Sequence, residues 1–187
     1  DDISNQAPTA ESDDVSTLED QSVEIILNAN DVNGDALNYT IVNQPAQGSL
    51  SGQAPSLTYT PNDDAAGADS FSFKVNDGSV DSNTANVSIT IQAVNDAPVA
   101  NAQSLSTSED VALVITLTGS DVEGDVLNYT IVTEPTQGFI SGTGQNLSYS
   151  AAPNSSGIDQ FTFKVNDGNL DSNTATVTIN VTAQNDA

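Results

Sequence analysis

Apolar and polar residues alternate in short runs along this chain, and no stretch carries a persuasive helical period. Val23, Ile25 and Leu27 form the first clear run, followed by Leu37, Tyr39 and Ile41, then Leu57 and Tyr59, then Phe71, Phe73 and Val75, and finally Val87, Ile89 and Ile91. A period of two places each set on one face of a pleated strand. Clusters of Gly, Pro, Asn and Asp separate the runs and supply the turns. The pattern therefore predicts an all-β fold in which each strand buries one face.

The series then repeats as Leu113, Ile115, Leu117; Leu127, Tyr129, Ile131; Leu147, Tyr149; Phe161, Phe163, Val165; and Val177, Ile179, Val181. Polar positions follow the same period: Glu19-Asp20 recurs as Glu109-Asp110, and Lys74-Val75-Asn76-Asp77-Gly78 as Lys164-Val165-Asn166-Asp167-Gly168. Self-similarity at a fixed period is the signature of an array. Residues 1–7 read as the tail of a preceding repeat, 8–97 as repeat 1 and 98–187 as repeat 2. A weaker strand before Glu19 and another around Gly48 to Ser51 bring the expectation to about seven strands per repeat, the count of an immunoglobulin-like sandwich. The link from Gln92 to Val99 is short and polar, and Pro98 marks it as a stiff joint.

Composition sharpens the picture. The chain carries 26 acids against two lysines, no arginine and no histidine, for a net charge of −24. Phosphate-bearing partners need cationic side chains to displace their counterions, so nucleic acid and anionic membranes are excluded. No apolar run is long enough for a membrane-spanning helix, and the start at Asp1 has no basic or apolar leader, so any secretion signal is expected elsewhere. An acidic chain with few aromatics can be disordered, but here the apolar residues are periodic. Without cysteine there is no disulfide, and a small domain of this kind needs another staple, usually a metal.

The acids suggest which metal. In an up-and-down sandwich, Glu19 and Asp69 fall at the end of repeat 1 facing repeat 2, while the Asp121 to Asp125 loop and Asp167 fall at the end of repeat 2 facing repeat 1. Asn95 and Asp96 lie between, so Glu19, Asp69, Asp96, Asp121, Asp125 and Asp167 are expected to converge on one junction. Carboxylates so gathered need a cation to stay ionised. Calcium accepts six to eight oxygens in flexible geometry, whereas softer metals find no His or Cys here.

Together these residues, with Leu37-Asn-Tyr39, Pro45-Ala-Gln-Gly48, Tyr59-Thr-Pro61, Gly67-Ala-Asp69-Ser-Phe71 and Val94-Asn-Asp-Ala-Pro98, resemble tandem cadherin-like, immunoglobulin-related repeats of large bacterial surface proteins, including the RTX-type adhesins exported by type I secretion. The resemblance implies two Greek-key sandwiches end to end, and calcium held where repeats meet. It implies an interdomain set of Glu19, Asp69, Asn95, Asp96, Asp121, Glu123, Asp125 and Asp167. The same period gives Asp31, Asn33, Asp35 and Asp77 as an N-terminal site, and Glu109, Asp159, Asn185 and Asp186 as a C-terminal half-site. Glu123 stands where repeat 1 has Asn33, so the sites are not expected to be equivalent. The implied role is a calcium-rigidified extender of an adhesin on a Gram-negative cell surface, supporting adhesion and biofilm, with neighbouring repeats as partners and this piece monomeric.

Two other classes compete. An enzyme is disfavoured, because acids that recur at domain ends give no single cleft for acid–base chemistry. A calcium-dependent carbohydrate-binding module is the alternative, with surface glycans as partners; Phe139, where repeat 1 has Ser49, is its aromatic candidate as a sugar platform, although partial burial near a sheet edge is expected of it. Against it stand the absence of Trp and the inward direction expected for Tyr39, Tyr129, Phe73 and Phe163. Lys74 and Lys164 are expected on the surface, and Asp13, Asp14, Glu24 and Asp64 as solubilising charge.

Overall fold

The computed structural model describes residues 4–185. It divides into two units between Val94 and Asn95. Asn95, Asp96 and Ala97, the end of repeat 1 by sequence period, thus belong to the second unit. All regular structure among the described residues is β.

The first unit holds β1 (Thr9–Ala10), β2 (Asp13–Leu18), β3 (Val23–Ile26), β4 (Ala29–Asn30), β5 (Asn38–Asn43), β6 (Gly48–Gln53), β7 (Ser56–Pro61), β8 (Gly67–Asn76) and β9 (Ala85–Gln92). One sheet has the order β2-β9-β8-β5 and the other β3-β7-β6, with β1 and β4 forming a short pair of their own. β2 runs parallel to β9, with Val15 opposite Ile89, and the remaining neighbours are antiparallel. The second unit repeats this with β10 (Val99–Ala100), β11 (Gln103–Ser108), β12 (Leu113–Thr116), β13 (Gly119–Ser120), β14 (Asn128–Thr133), β15 (Gly138–Thr143), β16 (Asn146–Ala151), β17 (Gly157–Asn166) and β18 (Ala175–Thr182).

The seven expected strands are present, and β1 and β4 with their counterparts β10 and β13 add two per unit. Two residues are too few to show a period, so these pairs carried no signal. The core is the alternating set the pattern predicted: Ile25, Leu27, Leu57, Tyr59, Phe71, Phe73, Val75, Val87, Ile89 and Ile91 are buried, and so are their partners one period on. Burying a side chain such as Phe73 removes enough apolar surface that truncation to Ala costs about 3–5 kcal/mol. Tyr39 and Tyr129 are half-buried at the core margin, each stacked 6.3 Å from Phe73 or Phe163.

Two glycines are fixed by packing. A Cβ on Gly48 would sit 2.5 Å from the Tyr59 ring, and one on Gly138 2.5 Å from the Tyr149 ring. Each tyrosine lies flat across the neighbouring strand only because that residue has no side chain.

Candidate metal site

The β4–β5 connection of the first unit, residues 31–37, is organised by its own first acid. Asp31 Oδ1 accepts the Asp35 N–H at 3.1 Å, and the Gly34 N–H reaches the Asp31 carbonyl at 3.3 Å. Gly34 takes φ +82°, which favours glycine. Asp31 Oδ2 is buried and has no hydrogen-bond partner among the described residues. The second unit builds the same loop: Asp125 N–H donates to Asp121 Oδ1 at 2.9 Å, Gly124 has φ +78°, and Asp121 Oδ2 is likewise buried without a partner.

A second loop lies beside each of these. The β8–β9 connection places Asp77 with its Oδ1 accepting the Ser79 and Val80 N–H groups. The segment entering the unit bridges both loops: Asn5 Nδ2 donates to Asp77 Oδ2 at 3.0 Å, and Gln6 N–H donates to Asn33 Oδ1 at 2.9 Å. In the second unit, Asn95 Nδ2 donates to Asp167 Oδ2 at 2.8 Å and Asp96 N–H to Glu123 Oε2 at 3.2 Å, so Glu123 replaces Asn33 in the same contact. The Val80 and Leu170 N–H groups first, then the Asn5 and Asn95 amides, hold the Asp77 and Asp167 carboxyls below the ordinary carboxylate range. The entering segment thus ties Asn33 to Asp77 in the first unit and Glu123 to Asp167 in the second, with Asp31 or Asp121 heading the loop that carries the first of each pair.

Among the described residues, no protein cation serves these loops. Both lysines of the chain are engaged, Lys74 with Asp81 at 2.6 Å and Lys164 with Asp171 at 2.5 Å. Asn76 and Asn166 donate to the other oxygen of the same two aspartates. A buried carboxylate oxygen without a donor is costly. The donor set therefore fits a hard, oxygen-seeking cation, since every available ligand atom is a carboxylate, amide or main-chain oxygen.

Glu19 and Glu109 occupy a different position, at the far end of each unit where the last strand leaves. Glu19 is buried, its N–H donates to the Gln92 carbonyl, and its Oε1 accepts the Val94 N–H at 2.5 Å. Glu109 does the same with Thr182 and with Gln184 N–H at 2.6 Å. Asn185 is exposed, and Asp186 lies outside the described residues.

Asp69 and Asp159, grouped with the metal by sequence, are each surrounded by protein donors. Asp69 sits inside β8 and points between the sheets. Its Oδ1 accepts the Ala46 N–H (2.9 Å) and its own neighbour Ser70 N–H (2.8 Å); its Oδ2 accepts the Gln47 N–H (2.9 Å) and the Tyr59 hydroxyl (2.8 Å). Asp159 repeats this with Thr136, Gln160, Gln137 and Tyr149. With four protein donors on Asp69 and five on Asp159, where the Thr136 hydroxyl adds a bond of 3.3 Å, these carboxylates act as clamps for the β5–β6 and β14–β15 connections. Burial pushes both carboxyls up, but the main-chain and tyrosine donors outweigh it and the net direction is down. Burial, then the adjacent carboxylate, raises the Tyr59 and Tyr149 hydroxyls well above their ordinary value.

Sequence reasoning missed the entering residues Asn5 and Gln6 as part of a site. The available signal was the recurrence of Asn5-Gln6-Ala7 as Asn95-Asp96-Ala97. In the second unit, a shallow dent of about 450 Å³ lies among Thr133, Glu134, Thr136, Ile158, Gln160 and Thr162. Phe139 is 60% exposed on the other sheet.

A family model described as bacterial Ig domain matches residues 5–90 and again 95–180. The chain belongs to the bacterial Ig domain family. Among solved structures it is similar to a human mucin-like protocadherin fragment of two extracellular domains, with 18% identity, coverage of 96% of this chain and 100% of that one, and a TM-score of 0.60. It is also similar to human CDH23 domains 21–23, with 15% identity, coverage of 95% and 70%, and a TM-score of 0.64. These likenesses show the cadherin-like form of the Ig fold. An endo-fucoidan hydrolase of glycoside hydrolase family 107 matches with 26% identity and a TM-score of 0.41; the match covers 95% of this chain, which spans 29% of the length of that hydrolase. No curated protein matches.

Proposed function

We propose that these tandem bacterial Ig domains are calcium-stiffened extender repeats of an extracellular adhesin, without enzymatic activity. The observation that carries the reading is the buried, unpartnered carboxylate oxygen at Asp31, reproduced 90 residues later at Asp121. In this reading a calcium ion takes that oxygen in each unit. Asp31, Asn33, Asp35 and Asp77 hold the ion in the first unit, with Asp121, Glu123, Asp125 and Asp167 in the second, and the main-chain and amide oxygens of the entering segment complete the shell. Calcium supplies charge neutralisation and cross-linking here. By fastening the entering segment to two loops, it limits the angles available where one unit follows another, which is what a spacer requires. Glu19 with Asn95 and Asp96, and Glu109 with Asn185 and Asp186, remain candidate ligands where repeats meet, while Asp69 and Asp159 are left to their clamps.

Extracellular placement is in keeping with the family and with a disulfide-free domain that is stapled by a metal. Gram-negative origin, adhesion and biofilm support belong to the same proposal. Small-angle scattering tests it: with millimolar calcium the distribution of particle dimensions should lengthen and narrow, and after chelation it should broaden while each unit stays folded. Identical profiles in both states would remove the stiffening role. The carbohydrate alternative draws on the exposed Phe139 and the dent of the second unit, and binding on a glycan array that Phe139→Ala abolishes would favour it.

A further inference from the structure

Asn33-Gly34 is the sole Asn-Gly step in the chain. Such a step can close on itself, because one new bond between the main-chain nitrogen of the glycine and the asparagine side-chain carbon completes a five-membered ring, and a glycine brings no side chain to obstruct it. Gly34 has φ +82° and open space around the position a Cβ would take. Its N–H is held only by a 3.3 Å bond to the Asp31 carbonyl, at the long edge of hydrogen-bond geometry.

The environment of the side-chain amide favours the same reaction. Gln6 N–H donates to Asn33 Oδ1 at 2.9 Å, which places a fixed donor where negative charge gathers as a nucleophile adds to the carbonyl. Asn33 Nδ2, the group that must leave, has no hydrogen-bond partner among the described residues. The other Asn-rich turns differ: Asn76 and Asn166 are committed through both side-chain atoms, with Oδ1 on the Gly78 or Gly168 N–H and Nδ2 on Asp81 or Asp171.

We propose that Asn33 is a self-modifying position that converts to an acid in the folded protein. The Gly34 main-chain nitrogen bonds to Asn33 Cγ, the Cγ–Nδ2 bond breaks, and Nδ2 departs as ammonia carrying the proton that Gly34 loses. Water then opens the five-membered imide to aspartate or to its β-linked isomer. One water is consumed and one ammonia released overall, and nothing is oxidised or reduced. The second unit shows what the aspartate product means, because Glu123-Gly124 occupies the same loop with an acid already in place and accepting the Asp96 N–H. An aspartate at position 33 gives the first loop the same three-acid composition and makes the Gln6 contact charge-assisted. The β-linked product instead inserts a main-chain carbon between Asp31 and Asp35.

The test is peptide mapping by mass spectrometry after the chain is incubated in mildly alkaline, chelator-containing buffer, so that the result does not depend on calcium. The expected outcome is that the peptide holding Asn33 gains the mass of amide-to-acid conversion as two separable isomers, ahead of every other asparagine. Asn33→Gln should stop this, and Gln6→Pro, which removes the N–H donor from an exposed position, should slow it several-fold. Asn33 remaining an amide in the folded chain while the urea-unfolded chain converts would overturn the proposal, as would conversion spread evenly over the asparagines. An unchanged rate in Gln6→Pro would overturn the role given to the donor. Calcium added in a parallel arm bears on the metal reading alone: slower conversion supports ligation by this loop, and an unaffected rate counts against it.

Discussion

Asp69 and Asp31 are both aspartates recurring with the same period, and both direct a carboxylate oxygen out of solvent, yet their surroundings are opposite. Asp69 meets four protein donors and completes a clamp between β8 and the β5–β6 connection. Asp31 meets one donor through Oδ1 and none through Oδ2. Repetition alone marks both as important, and only the donors tell a load-carrying carboxylate from one that needs a cation. The difference predicts that Asp69 stabilises each unit in any buffer, whereas Asp31 does so only when an ion is present.

The largest expected effect follows at the clamp. Asp69→Ala strands the buried Tyr59 hydroxyl and the Ala46 and Gln47 N–H groups, so it should cost about 3 kcal/mol or more in thermal unfolding, equally with calcium or with chelator. A strongly calcium-dependent loss would move Asp69 to the metal site. Next in size is calcium itself: an ion bound by the folded units alone adds about 2.7 kcal/mol at a hundredfold excess over Kd, read as a higher midpoint of thermal unfolding. In chelator, by contrast, Asp31→Asn should be neutral or mildly stabilising, because it removes a buried charge that has no partner.

Gly48→Ala should come third, at about 1–3 kcal/mol, since its Cβ would meet the Tyr59 ring at 2.5 Å and the strand must shift. An unchanged midpoint would show that the ring is free to move. Tyr59→Phe should be smallest, about 1 kcal/mol, because three main-chain donors remain on Asp69.

The clamp also sets an acid response. The Asp69 and Asp159 carboxyls are held below their unfolded value of about 3.9, so their contribution is fully present above that pH and is lost as pH falls through the lower folded value. Stability should therefore fall on the acid side below about pH 4, and Asp69→Asn with Asp159→Asn should flatten that fall in chelator. An acid limb of unchanged steepness would assign it to other carboxylates.

Much of the fold was legible because a buried strand face writes itself as a period of two, and Val23 to Ile91 with their copies gave the core almost residue for residue. The two-residue strands β1 and β4 were not, since their partners are set by chain path. The loop acids were legible as a repeated set. Their division of labour was hidden, because the donors that fill Asp69 are main-chain N–H groups of Ala46 and Gln47, whose presence no side-chain pattern records. The fixed spacing of Tyr59 to Asp69 and Tyr149 to Asp159, with Gly48 and Gly138 kept small beneath the rings, was the available clue.

Asp31 and Asp121 carry the oxygens a cation must satisfy, and calcium titration by calorimetry of the parent chain beside Asp31→Asn with Asp121→Asn puts those two oxygens to the test. The parent should bind calcium saturably, with poor competition by magnesium, and the double variant should lose the tight sites with both units still folded. Equal affinity and stoichiometry in the two proteins would contradict that assignment.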